Sequence, residues 1–148
     1  MSKFNSDIVI NKQLIHVFEF IIDVNNNPKW QEVNRVENIK YAKSNKLKSF
    51  SEFQSYRGKE AESKSKVVLW KQNKMFGYRS RLGNYDLKIV YRFTEVAEGT
   101  KISAEGDLRG GGYFGSSVWF LLVSPKVLQK QLLSNLNKLK SLMEAAHA

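Results

Sequence analysis

Leu14, Ile15, Phe18, Ile21 and Ile22 recur at spacings of three and four residues, with Lys12, Glu19 and Asp23 largely off that stripe. A period near 3.6 puts such apolar side chains on one face of a helix, which is expected to end near Asp23. Asn11 is placed to cap it, because its side chain can accept a bond from an N–H left over in the first turn. Ahead of it, residues 7–10 are short and β-branched and read as the end of a strand. Behind it, the run Asn25-Asn26-Asn27-Pro28 breaks the helix, and Pro28 starts one more short turn that positions Trp30.

From Val33 to Leu108 the period changes to two. Turn signals at Ser44-Asn45, Arg57-Gly58-Lys59, Gln72-Asn73-Lys74, Gly83-Asn84 and Glu98-Gly99-Thr100 divide this region into strands at roughly 33–43, 48–56, 60–71, 75–82, 86–96 and 100–108. Leu87, Ile89, Tyr91 and Phe93 alternate with Lys88, Val90, Arg92 and Thr94, and Ile102, Ala104, Gly106 and Leu108 alternate with Lys101, Ser103, Glu105 and Asp107. Alternation of this kind belongs to an antiparallel sheet with one dry and one wet face. After Gly110-Gly111-Gly112 the helical period returns, with Leu128, Leu132, Leu136, Leu139 and Met143 in one stripe. Pro125 should kink this helix or separate a first segment at 114–123 from it. A dry sheet face and a dry helix face solve each other's problem, so the sheet is expected to wrap the helix.

A chain of 148 residues is expected to form one domain, spanning residues 1–148. The absence of cysteine excludes disulfides, thiolate catalysis and Cys-based metal sites. Residues 1–7 are polar and contain no apolar h-region, and the longest uncharged run, 110–125, is too short for a membrane span. A soluble, cytoplasmic protein is the expectation. The net charge of +10 is concentrated in residues 33–109, which hold seventeen basic and nine acidic residues. Lys64, Lys66, Arg79, Arg81, Lys88, Arg92 and Lys101 would gather on the wet face if consecutive strands pair as hairpins, with Glu62 and Glu105 among them. Such a patch attracts anionic membranes or nucleic acid, although no arginine-rich block or zinc-finger spacing accompanies it.

Local strings give this pattern a family likeness. Ile10-Asn11-Lys12, then Val17-Phe18-Glu19-Phe20-Ile21-Ile22-Asp23, then Asn26-Asn27-Pro28-Lys29-Trp30, resemble the N-terminal signature of START-like proteins of the polyketide cyclase/dehydrase group. Gly58-Lys59, Val67, Phe76-Gly77-Tyr78-Arg79-Ser80, Gly83, Tyr91-Arg92-Phe93 and Gly99-Thr100 resemble that family's central strands, and residues 136–144 its closing helix. The likeness covers nearly the whole chain and lies in order and spacing rather than in any one motif. It implies an α+β helix-grip fold: a seven-stranded antiparallel sheet curled around a long C-terminal helix, with two short helices after strand 1 and an apolar cavity between sheet and helix. It also implies binding or processing of hydrophobic small molecules such as lipids or polyketides.

Catalytic motifs are sparse. Only His16 and His147 exist, and His16 reads as a surface histidine, a dyad with Glu19 or Asp23 being conceivable on spacing alone. Two distant histidines without thiols argue against a metal site, and no cofactor motif is present. Gly115-Ser116-Ser117 lacks the glycine of a nucleophile elbow, and Gly110-Gly111-Gly112 lacks the Gly-Lys-Ser/Thr of a phosphate loop; it reads as a pliant entrance to the last helix. No catalytic residue is assigned.

The aromatic residues say more. Phe53, Phe76, Tyr78, Tyr91, Phe93, Trp119 and Phe120 are the candidate cavity walls, with core filling as the other role open to them. Glu52 and Gln54 flank Phe53 and become polar candidates if their face of the strand points inward; the alternation permits either register. The expected function is binding of a hydrophobic or aromatic small molecule as carrier, sensor or sequestering protein. A cyclase or dehydratase acting in the same cavity and a basic-surface binding module are the alternatives.

Overall fold

The computed structural model describes residues 2–56, 58–82, 85–110 and 125–145. Within them the order is β1 (Ser2–Ile10), α1 (Leu14–Ile22), a single 3-10 turn (Val24–Asn26), α2 (Asn27–Trp30), β2 (Arg35–Tyr41), β3 (Leu47–Tyr56), β4 (Lys59–Lys71), β5 (Met75–Leu82), β6 (Tyr85–Val96), β7 (Gly99–Gly110) and α3 (Pro125–Ala145). Among the described residues, seven strands form one open antiparallel sheet in the order β1-β7-β6-β5-β4-β3-β2. With two short helices after β1 and a long helix at the end, this is the α+β helix-grip architecture.

The hairpin turns follow from local chemistry. Asn45 (φ 67°), Asn73 (φ 58°), Gly58 (φ 79°) and Gly99 (φ 137°) occupy left-handed backbone at the reversals, a region that asparagine tolerates and glycine enters freely. At Gly99 a β-carbon would lie 2.3 Å from the Ile10 carbonyl oxygen, so the turn into β7 packs directly on the end of β1. Asn38 (φ 55°) marks a departure from simple alternation, because the β2–β3 register slips between Glu37 and Lys40.

α1 buries Val17, Phe18 and Ile21, while Ile15 is exposed. The buried stripe is therefore turned about one residue from the expected one. Asn11 does not cap α1: the helix starts at Leu14 behind Gln13, and no side chain bonds to its first turn. Asn11 instead donates its backbone N–H to Glu144 Oε2 at 2.8 Å. His16 lies exposed on α1, as expected.

α3 buries Leu132, Leu136, Leu139 and Met143 against the sheet. Pro125 opens it, where a missing N–H costs nothing. Its polar side chains also reach the edge strand β1. Gln129 Oε1 accepts from the Asn5 N–H (3.2 Å), Lys140 Nζ donates to the Val9 carbonyl (2.5 Å), and Lys140 pairs with Glu144 (2.7 Å) one turn on. Among the described residues no helix is long and apolar enough to cross a membrane. The segment expected at 114–123, Gly111-Gly112, Trp119, Phe120 and His147 lie outside the described residues.

Candidate functional site: a cavity between sheet and terminal helix

Register decides which side chains face α3. Across the ladders Phe50 faces Ser65, Ser65 faces Ser80, Ser80 faces Leu87 and Leu87 faces Leu108, while Tyr78 faces Ile89 and Ile89 faces Gly106. These residues share the inner face. At the end nearer α1 that face is filled. Phe18 meets Phe93 (ring centroids 5.1 Å) and Trp70 (6.0 Å) edge-on, Trp70 meets Phe76 (5.7 Å), and Phe50 meets Tyr78 (5.3 Å). Edge-to-face contacts of this kind add to plain area burial.

Toward the N-terminal half of α3 the packing stops and a cavity of about 370 Å3 opens. This lies in the size range of small-molecule sites. Its apolar wall comes from Phe4, Leu87, Ile89 and Leu108 on the sheet and from Leu128 and Leu132 on α3. Gly106 is part of the reason that Phe4 can take its place. A β-carbon there would sit 2.1 Å from the Phe4 ring, so the ring lies on bare backbone.

The polar part of the wall is concentrated around Glu52, which is 3% exposed. Asn27, buried on α2, donates Nδ2 to Glu52 Oε2 at 2.8 Å, and among the described residues this is the carboxyl's one side-chain partner. Burial of the charge pushes the Glu52 carboxyl up to about 7 against the pull of that hydrogen bond. Tyr78 and Tyr91 stand beside it with their phenols within hydrogen-bonding reach of each other, and Gln31 reaches Tyr78. Desolvation raises both phenols above the ordinary tyrosine value, and the neighbouring Glu52 adds to it. Both tyrosines therefore stay neutral and act as hydrogen-bonding groups near neutral pH. Farther along β6 on the same sheet face, Tyr85 is buried, and its hydroxyl has no partner among the described residues.

Of the residues singled out by the alternation, Tyr78 and Tyr91 line the cavity. Phe76 and Phe93 lie in the aromatic core beside it. Phe53 points to the other side of the sheet, where the Arg35 guanidinium sits 4.1 Å above its ring. The register left open in β3 is thus resolved with Glu52 and Gln54 facing inward. Tyr85 was not singled out, although it has the same parity as Leu87, Ile89 and Tyr91 and the signal was there to extend.

The outer face carries the basic residues in register. Lys66 faces Arg79, Arg79 faces Lys88, and Lys64 faces Arg81. Arg79 pairs with Asp86 (3.1 Å), Arg92 with Glu105 (3.3 Å) and Lys101 with Asp7 (3.8 Å). Among the described residues no group of histidines and carboxylates could hold a metal ion.

Sheet, gripped helix and cavity together give the chain a START-like fold. The chain belongs to the family described as polyketide cyclase / dehydrase and lipid transport, whose model matches residues 1–144. No curated protein sequence matches it. Among solved structures it is similar to a protein from Thermus thermophilus, with TM-score 0.77, 17% identity, and 99% of each chain covered. It is also similar to a START superfamily protein from Mycobacterium smegmatis, with TM-score 0.72, 9% identity, and 98% of this chain and 96% of that one covered. The di-domain ARO/CYC StfQ from the steffimycin biosynthetic pathway matches with TM-score 0.76 and 14% identity over 97% of this chain and 51% of its own. At these identities the structural likeness speaks for the fold alone.

Proposed function

We propose that this protein binds a hydrophobic or aromatic small molecule in the cavity between sheet and α3, as a carrier, sensor or sequestering protein acting in the cytoplasm. The observation that supports this reading is the cavity itself: an apolar wall on both sheet and helix with its polar atoms gathered near Glu52, Tyr78 and Tyr91. Apolar burial supplies affinity at about 25 cal/mol per Å2, and a few fixed polar groups orient the guest. The lipid-transport part of the family description is consistent with such a role. Native mass spectrometry of the purified protein, followed by solvent extraction, tests it. A reproducible extra mass that is lost on denaturation is the expected result. A bare chain mass, together with no uptake of any apolar probe, would overturn the reading.

A second reading, cyclase or dehydratase chemistry in the same cavity, is favoured by one observation. A carboxyl that titrates near 7 beside two neutral phenols is suited to moving a proton. Turnover of a poly-β-ketone, lost in Glu52→Gln and reduced in Tyr91→Phe, would select this reading over plain binding. The outer basic face is a third element, and its attraction for anionic vesicles or DNA is tested by salt titration.

A further inference from the structure

Charge is sorted between the surface and the cavity. The chain has 24 lysines and arginines, yet the described residues lining the cavity include no basic residue and two carboxylates, Glu52 in the wall and Glu32 at the exposed rim. A random sample of this composition would put several cations there. Among the described residues Glu52 is also without a countercharge. Among the described residues Asn27 from α2 meets the carboxyl, Tyr78 from β5 and Tyr91 from β6 stand near it, Ser63 from β4 bonds the Glu52 backbone carbonyl, and Gln31 reaches Tyr78, all uncharged near neutral pH. The residues that α3 turns toward the cavity, Gln131 and Asn135 among them, are uncharged as well.

A buried carboxylate costs several kcal/mol unless something cationic or several donors meet it. Here the described residues supply one side-chain donor, the Asn27 amide, to one oxygen. No other side-chain hydrogen bond to the carboxyl is found among the described residues, and Glu52 is one of the residues lining the cavity. The phenols of Tyr78 and Tyr91 stand near the same carboxyl, and a neutral phenol oxygen can accept a hydrogen bond from an ammonium group.

We propose that the cavity recognises a protonated amine: its ligand has an apolar body lodged against Leu87, Ile89 and Leu132 and an ammonium group paired with Glu52 alongside Tyr78 and Tyr91. This rests on the ligand-binding reading above and narrows it to one head-group chemistry. Binding converts neutral Glu52 to its carboxylate, and below about pH 7 the displaced proton passes to solvent.

The test uses three probes with one apolar body, naphthylethylamine, naphthylethanol and naphthylacetate, titrated calorimetrically into the full chain at pH 6 and pH 8. The amine is expected to bind at least tenfold more tightly than the alcohol at pH 8. Its affinity should fall by about tenfold at pH 6, as Glu52 takes up its proton, while the alcohol's is nearly unchanged. Proton release at pH 6, read from buffers of different ionisation enthalpy, should accompany amine binding alone. Glu52→Gln should bring the amine down to the affinity of the alcohol. Should that variant fail to fold, the pH dependence of the wild-type chain still decides. Alcohol or carboxylate binding as tightly as the amine at pH 8 overturns the amine assignment and leaves the cavity reading standing. Binding of none of the three overturns both.

Discussion

Exchanging Glu52 for glutamine tests the electrostatics of the cavity without any ligand. Glu52 is the one acidic or basic side chain that is buried among the described residues. Its carboxyl sits at about 7 in the folded chain, against 4.5 as its ordinary value. Between those values the folded protein keeps a proton that the unfolded chain has released, so stability falls as pH rises. The advantage of the neutral form is fully present below pH 4.5 and is gone once pH has passed through about 7. At about 1.4 kcal/mol per pH unit, that interval corresponds to about 3 kcal/mol. Glutamine has the shape of the neutral acid, can accept the Asn27 bond through its amide oxygen, and does not titrate. Glu52→Gln is therefore expected to match the wild type near pH 5 and to exceed it by about 3 kcal/mol at pH 8. Urea unfolding followed by tryptophan fluorescence at pH 5, 6, 7 and 8 measures this difference directly. A gap between the two proteins that stays constant over this range, or that closes toward pH 8, would refute the assignment of a raised carboxyl to this position.

Further expectations concern packing and charge. Phe18→Ala removes a fully buried ring at the junction of Phe93 and Trp70, and should cost about 3–5 kcal/mol in the same urea assay. Gly106→Ala drives a β-carbon to 2.1 Å from the Phe4 ring; a loss of about 1–3 kcal/mol, with weaker uptake of apolar probes as Phe4 swings into the cavity, is expected. A variant carrying Lys66→Gln, Arg79→Gln and Lys88→Gln should lose any binding to anionic vesicles or DNA that the wild type shows at low salt, and added salt should erase the wild-type signal too. Binding indifferent to both salt and substitution would show that the outer face takes no part.

The central strands were legible because their physics is local. The reversals at Asn45, Gly58, Asn73 and Gly99 carry a residue suited to left-handed backbone, and the apolar residues of β7 keep one parity while those of β6 depart from it only at Val90 and Val96. Sequence proposed strands at 75–82 and 86–96, and the structure has Met75–Leu82 and Tyr85–Val96. In β3 both parities hold an aromatic residue, Phe50 on one and Phe53 on the other, so alternation alone could not say that Glu52 faces inward. The neighbouring strands settle it, since Phe50 and Glu52 face Ser65 and Ser63. The start of β1 was missed for a related reason. Residues 2–6 contain only Phe4 as a large apolar group, and what holds them is the pairing with β7, which no local pattern encodes. Asn11 has the chemistry of a cap, but the helix starts three residues later at Leu14, and the Asn11 backbone N–H bonds a carboxylate 133 residues away.

The two margins of the sheet are blocked by different means. Along β1, Gln129, Lys140 and Glu144 occupy backbone groups at Asn5, Val9 and Asn11 that another chain would need in order to add a strand. Along β2, the slipped register at Asn38 and the charges of Arg35, Glu37 and Lys40 spoil the template. Borders interrupted in this way make a poor template for a strand from a neighbouring molecule. The helix that roofs the cavity thus also shields part of the sheet's first edge, joining ligand chamber and sheet border in one element.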